Sequence, residues 1–142
     1  VLTTYVNSLT GYLQMDKKVL KALKGSIQKW HNIAYYGEED LSQDNCPLCL
    51  HFLDKEAGWV DCEAGCPVWL KTKKEFCEGS PYTKWARGCL NDDYGSYSDR
   101  WKAITPEKVK LAEEELKFLV TLLPEGEEAK MKDGDIWYWE WQ

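Results

Sequence analysis

The stretch DNCPLCLHF, residues 44–52, sets Cys46 and Cys49 three apart around a proline, and two related stretches follow: DCEAGCPVW at 61–69 and EFCEGSPY at 75–82. Five cysteines thus fall between Cys46 and Cys77, with a sixth at Cys89. The surrounding segment, residues 38–104, is rich in Gly, Pro, Asn and Asp. So much irregular chain is not ordered by apolar burial alone. It needs an internal crosslink, and the thiols supply one. The expected architecture is a small single domain over residues 1–142, mainly α, with an irregular cysteine-rich, metal-stabilised insert and a short β C-terminal tail.

Two helices frame the insert. Over 16–36, Leu20, Leu23, Ile27, Trp30 and Ala34 recur by three and four, one stripe of a helix. Asp16 suits the N-cap, where its carboxylate accepts from free first-turn amides, and Gly37 suits the position just past the C-terminus. Lys17, Lys21 and Lys24 line another face, with Lys18 and Lys29 nearby, and read as a solvated face. Gly25 weakens the helix. Over 105–123, Thr105 is the N-cap, Pro106 takes the first helical position, and Val109, Ala112, Leu116, Leu119 and Leu123 form the stripe. Pro124 and Gly126 end it. Matching stripes predict that the two helices pack together. In the tail at 135–142, Trp137, Trp139 and Trp141 alternate with Ile136, Tyr138 and Glu140, the pattern of a strand.

Composition bounds the function. The 142-residue chain carries 44% hydrophobic and 30% charged residues, which is globular rather than disordered. Its formal charge of −6 argues against a nucleic-acid footprint over the whole surface. Residues 67–102 are nonetheless mildly basic, with 7 Lys/Arg against 5 Asp/Glu, between two acidic flanks. No run approaches the roughly 18 apolar residues of a membrane span. The first residues lack the basic and apolar regions of a signal peptide, so the expected compartment is the cytoplasm, where thiols stay reduced.

The cysteine spacing runs C-x2-C, twelve residues, C-x3-C, ten residues, C, eleven residues, C. Zinc is the expected metal, with a 4Fe-4S cluster as the alternative and disulfides as a third reading. Zinc takes four thiolates tetrahedrally and drives the folding of loop-rich units. A 4Fe-4S cluster also uses four cysteines, and Cys66-Pro67 is the kind of step found in ferredoxin runs, although the dense C-x2-C-x2-C pattern is missing. Three disulfides would pair all six, in any of fifteen connectivities. Cys46, Cys49, Cys62 and Cys66 make the simplest ligand quartet, with Cys77 a substitute for Cys62. Cys89 reads as a small buried residue. His51 follows Cys49 by two; a neighbouring histidine of this kind is a ligand candidate, but more commonly an ordinary surface or core residue.

Outside the cysteines, WLKTKKEF, YTKWARG and DRWKA interleave basic and aromatic residues, as single-stranded nucleic-acid surfaces do. Trp69, Lys71, Lys73, Lys74, Tyr82, Lys84, Trp85 and Arg87 are the candidate partner-binding residues. Against this stands the plainer reading, in which the rings are core and the charges their solvated neighbours. The acidic stretches GEEDLSQD, CLNDDYGSYSD and LPEGEEAKMKDGD allow the opposite partner, a basic protein groove. Two histidines, no phosphate loop and no H-E-x-x-H leave the familiar catalytic arrangements missing, and a cysteine nucleophile at Cys77 or Cys89, outside the quartet, is the catalytic alternative.

The arrangement ALKGSIQKWHNIAYYG, DNCPLC, CPVW and C-x-G-S-P-Y resembles a group of small uncharacterised proteins common in bacteriophage and prophage genomes. The similarity runs from about Ala22 to Tyr82, with an echo in AEEELKFLVTLL. Cys46, Cys49, Cys62, Cys66 and Cys77 match its recurring cysteines, and Cys89 stands outside them. The C-x3-C here departs from the more usual C-x2-C. The resemblance implies host-cell cytoplasm and supplies no activity. The expected function is a non-catalytic, metal-stabilised interaction protein with a protein or single-stranded nucleic-acid partner. The alternatives are an acidic inhibitor or nucleic-acid mimic acting on a host defence enzyme, and an iron–sulfur redox or nucleic-acid-processing accessory protein.

Overall fold

The structure, a computed structural model, describes residues 5–7, 13–93, 95–127, 131–132 and 135–136, with side chains from residue 15 to residue 127 apart from residue 94. Its longest element is α1 (Lys17–Tyr36). Asp16 caps it, Oδ1 accepting from the amides of Lys18 at 2.9 Å and Val19 at 3.3 Å. Gly37 closes it in the left-handed conformation, φ 70°, which spares the Cβ penalty another residue would meet there. The next long helix, α6 (Pro106–Val120), starts at Thr105, whose Oγ1 accepts from the Lys108 amide.

These two helices form the principal packing pair. Leu23, Ile27 and Ile33 of α1 and Ala112, Leu116 and Leu119 of α6 belong to one buried cluster. The stripe expected on α1 is only part of what it buries: Val19, Ala22, Ser26 and Ile33 are buried too. A helix covered on more than one side is a central strut, and α1 has α6 on one side and α2 (Pro47–His51) on another. Two lysines expected on a solvated face are therefore inside. Lys24 pairs with Glu127, and Lys29 with Asp40. Lys17, Lys18 and Lys21 are exposed.

The insert is more regular than its composition suggests. A 3-10 turn at Ser42–Asn45 leads into α2, and a hairpin of β3 (Leu53–Asp54) and β4 (Trp59–Val60) follows. After a second 3-10 turn at Cys62–Ala64 come α3 (Pro67–Thr72), α4 (Tyr82–Asn91) and α5 (Tyr97–Arg100). Prolines start two of these helices. Pro47 and Pro67 each follow a cysteine and take the first turn, where no amide is needed. The expectation of an irregular insert is thus corrected. Its reason is that short helices carry little periodic signal, although Tyr82, Trp85 and Cys89 do recur by three and four. Antiparallel two-stranded hairpins, β1 (Tyr5–Asn7) with β2 (Leu13–Met15) and β5 (Met131–Lys132) with β6 (Asp135–Ile136), flank the helices in sequence. Trp137, Trp139 and Trp141 lie outside the described residues. Among the described residues, no helix is long and apolar enough to cross a membrane.

A buried polar knot joins the insert to α1. The Asp40 side chain is fully buried; its Oδ1 pairs with Lys29 Nζ at 2.8 Å and its Oδ2 accepts from Trp85 Nε1 at 2.9 Å. Lys29 also donates to the Ser42 carbonyl at 3.0 Å, and Trp85 meets Trp30 edge-on. Each polar atom of this knot has its partner in another element, so removing one strands the others. Asp40→Ala leaves an unpaired buried ammonium and an unpaired indole, at an expected cost of about 3–5 kcal/mol. Denaturant unfolding measures it; a loss under about 1 kcal/mol contradicts the knot's role.

Candidate metal centre

Cys46, Cys49, Cys62, Cys66 and Cys77 line one cavity of about 80 Å³, walled also by Ser26, Lys29, Trp30, Val68, Trp69 and Tyr82. They come from four separate places: the start and first turn of α2, the second 3-10 turn, the start of α3, and the loop before α4. Cys89 is fully buried on α4 and is not among the residues lining the cavity. His51 is exposed. No two of the six cysteines are bonded to each other.

The local geometry aims amides at sulfur. Cys46 is the N-cap of α2, its Sγ accepting from the Cys49 amide at 3.4 Å and lying 3.8 Å from Ser26 Oγ. Cys66 makes no capping hydrogen bond to α3, although the Trp69 and Val68 amides lie near enough to pull its thiol down, as the Phe76 amide does for Cys62. N–H to sulfur bonds stabilise thiolate over thiol, and in metal–thiolate sites they tune the ligand. The Cys49 thiol donates to Cys46 and, with Lys29 nearby, holds Cys46 down at about 6 against the opposing effect of burial. The same hydrogen bond, reinforced by burial, pushes Cys49 up. Burial raises Cys62, raises Cys66 to about 11, and raises Cys77 well above the usual thiol range. Without a cation, only one of the five thiols is thus poised to ionise near neutral pH.

Backbone strain gathers at the same place. Ser42, Lys73, Phe76 and Cys77 adopt the left-handed region without being glycine, with φ between 57° and 62°. Three of them, Ser42, Phe76 and Cys77, line the cavity. Each such residue costs on the order of 1–3 kcal/mol, and such conformations cluster at ligand sites. Gly25 has its reason here as well. A Cβ at that position would stand 2.9 Å from Pro47 Cγ, so the glycine lets the Cys46-Pro47 turn lie against α1.

Sequence reasoning missed Glu115. It sits on the buried stripe of α6, three residues after Ala112 and four before Leu119, and reaches the cavity wall. That spacing was the available signal; the run of three glutamates at 113–115 masked it. Burial pushes its carboxyl up to about 8, and the charge of Cys46 adds to this.

Among the described residues, no group of three or more His, Cys, Asp or Glu side chains is placed to hold a metal ion. The thiols stand around a space instead of meeting at a point. One water needs about 10–15 Å³ of such space, so this cavity admits a group several times larger. As it stands, the arrangement does not form a closed tetrahedral ion site among the described residues.

The candidate partner-binding residues divide. Lys71, Lys73, Lys74, Lys84 and Arg87 are exposed. Lys73 Nζ lies 4.8 Å over the ring of Trp69, which is half-buried at the cavity. Trp85 is a correction: at 0% exposure, with its indole N–H given to Asp40, it presents no stacking face. Tyr82 is half-buried and packs edge-on against Trp30, so it serves the core in the first place. Arg87 shares a shallow surface hollow with Glu75 and Glu78, which offsets its charge.

Comparison of the chain with family models, with curated proteins and with solved structures yields no match.

Replacing Gly25 with Ala isolates the α1–α2 approach. Helix propensity alone gains about 1 kcal/mol. Displacing Pro47 costs about 1–3 kcal/mol, as overpacking does. The expected net result is a lower thermal midpoint, and a raised midpoint contradicts the close approach.

Proposed function

We propose that the thiols of Cys46, Cys49, Cys62, Cys66 and Cys77 supply the ligands of a metal centre that stabilises a non-catalytic interaction protein, of the phage type its motifs resemble. The observation carrying this reading is that five cysteines from four chain segments share one cavity while the sixth stands apart. Of the two metals the spacing allows, the cavity favours a 4Fe-4S cluster over zinc. Zinc would draw four sulfurs to about 2.3 Å from one ion, whereas a cluster fills a space with its own iron and sulfide. Metal binding of this kind is folding free energy for the loops it joins.

The centre is decided by anaerobic purification from iron- and zinc-replete medium, with metal and acid-labile sulfide analysis. Iron with sulfide and visible charge-transfer absorption is expected. Stoichiometric zinc selects the other metal, and no metal at all defeats the reading. Cys49→Ser should lose the metal and lower the thermal midpoint, since serine keeps its proton near neutral pH and is a poor ligand for either metal. Cys89→Ser should retain the metal. The reverse pattern places the centre elsewhere.

For the partner, exposed Lys71, Lys73, Lys74 and Lys84 support an anionic one, a single-stranded nucleic acid in the first place. The holo-protein should shift single-stranded DNA or RNA with an affinity that falls steeply with salt. Joint replacement of Lys71, Lys73 and Lys74 by Gln should weaken the shift. Salt-independent or absent binding turns the reading to a protein partner.

A further inference from the structure

The cavity has one wall that the cysteine pattern does not announce. Glu115 comes from α6, outside the insert, and is 2% exposed. It lines the same space as the five thiols, and its Oε1 has no hydrogen-bond partner. Leaving a carboxylate oxygen unsatisfied in the interior is costly, and native chains seldom do so without something to meet it. The nearby ammonium is already committed: Lys29 is held at 2.8 Å by Asp40 and at 3.0 Å from the Ser42 carbonyl. The other groups near the carboxylate are Ser80, whose Oγ donates to the Cys77 carbonyl and accepts from the Tyr82 amide, and the Cys46 and Cys77 thiols. A cation entering this space would meet thiol sulfur and carboxyl oxygen together.

We propose that Glu115 is an oxygen ligand of the metal centre, which makes the site a mixed thiolate–carboxylate one. This inference rests on the metal reading above and deepens it. Carboxylate oxygen is an accepted ligand for zinc, and iron takes both sulfur and oxygen donors. As the metal group enters, each ligating thiol and the Glu115 carboxyl exchange a proton for a metal–ligand bond, and the protons pass to solvent; no electron is transferred. The structural consequence is specific. With cysteines alone, the centre would crosslink the insert to itself. With Glu115, it fastens the insert to α6 and, through α6, to α1.

Glu115→Gln keeps the shape and removes the anionic donor. Wild-type and variant chains are loaded anaerobically with ferrous iron and sulfide, and in parallel with zinc. Chelator competition gives affinity, and X-ray absorption at the metal edge gives the first shell. The wild type should show an oxygen scatterer beside sulfur. The variant should lose it and bind at least about tenfold more weakly. Metal-free variant should resist denaturant as well as metal-free wild type or better, because an amide is buried more cheaply than a carboxylate; a merely structural role would instead lower that stability. Equal affinity with an unchanged shell overturns the proposal. So does an all-sulfur first shell in the wild type, which needs no variant and leaves the metal reading standing. A wild-type chain that takes up neither metal overturns the metal reading, and this inference with it.

Discussion

The fully buried carboxylate of Asp40 holds the molecule's parts in register. A charge in the interior must be met from all sides, and here Lys29 comes from the middle of α1, Trp85 from α4, and the Ser42 amide from the chain just beyond. That requirement turns the chain back over α1 as soon as the helix ends at Gly37. It delivers Cys46 to the side of α1 where Ser26 and Gly25 leave room for it. It also fixes α4 edge-on against Trp30, so the loop carrying Cys77 runs past the same place. A polar knot of this kind adds little net stability over a packed apolar one, but it admits few alternative arrangements.

Around that knot the chain divides its work. The α1–α6 pair has an apolar interface able to order itself, with caps at its starts and a left-handed glycine closing α1. The insert has short helices and a two-residue hairpin, elements too brief to be stable alone. It repeats one local device. A cysteine precedes a proline that opens a short helix, at Cys46-Pro47 and again at Cys66-Pro67, and at Cys46 a first-turn amide donates to the sulfur. The insert also carries backbone in the left-handed region at Phe76 and Cys77. What apolar burial the insert has comes from a few residues of different elements, Leu48, Val60, Val68 and Trp85, which join the same core as α1 and α6.

The surface readings fare differently. Aromatic residues interleaved with lysines look alike in sequence whether they face a nucleic acid or a core. Trp85 proves to be core and Trp69 belongs to the cavity wall, while the lysines of α3 and its end remain outside. Of the interleaved residues it is the charges that stay exposed, and charge gives attraction that depends on salt.

By itself, the sequence determined what is local. The starts of α1 and α6, the glycine after α1, and the apolar stripes that pair them follow from caps and periodicity, which act within a few residues. The pool of cysteines, and the separateness of Cys89, were legible from spacing. Tertiary structure alone decided what depends on residues far apart in the chain. Lys24 and Lys29 sit on what reads as a solvated face, yet α1 is covered on several sides and both are paired inside. Glu115 reads as one of three surface glutamates, but the approach of the Cys77 loop to α6 closes it into the cavity. Spacing says that five thiols can reach a common point; only the packing of four chain segments against α1 and α6 makes them face a space wider than a single ion needs. Burial is a property of the assembled neighbours, and no local pattern encodes which neighbours arrive.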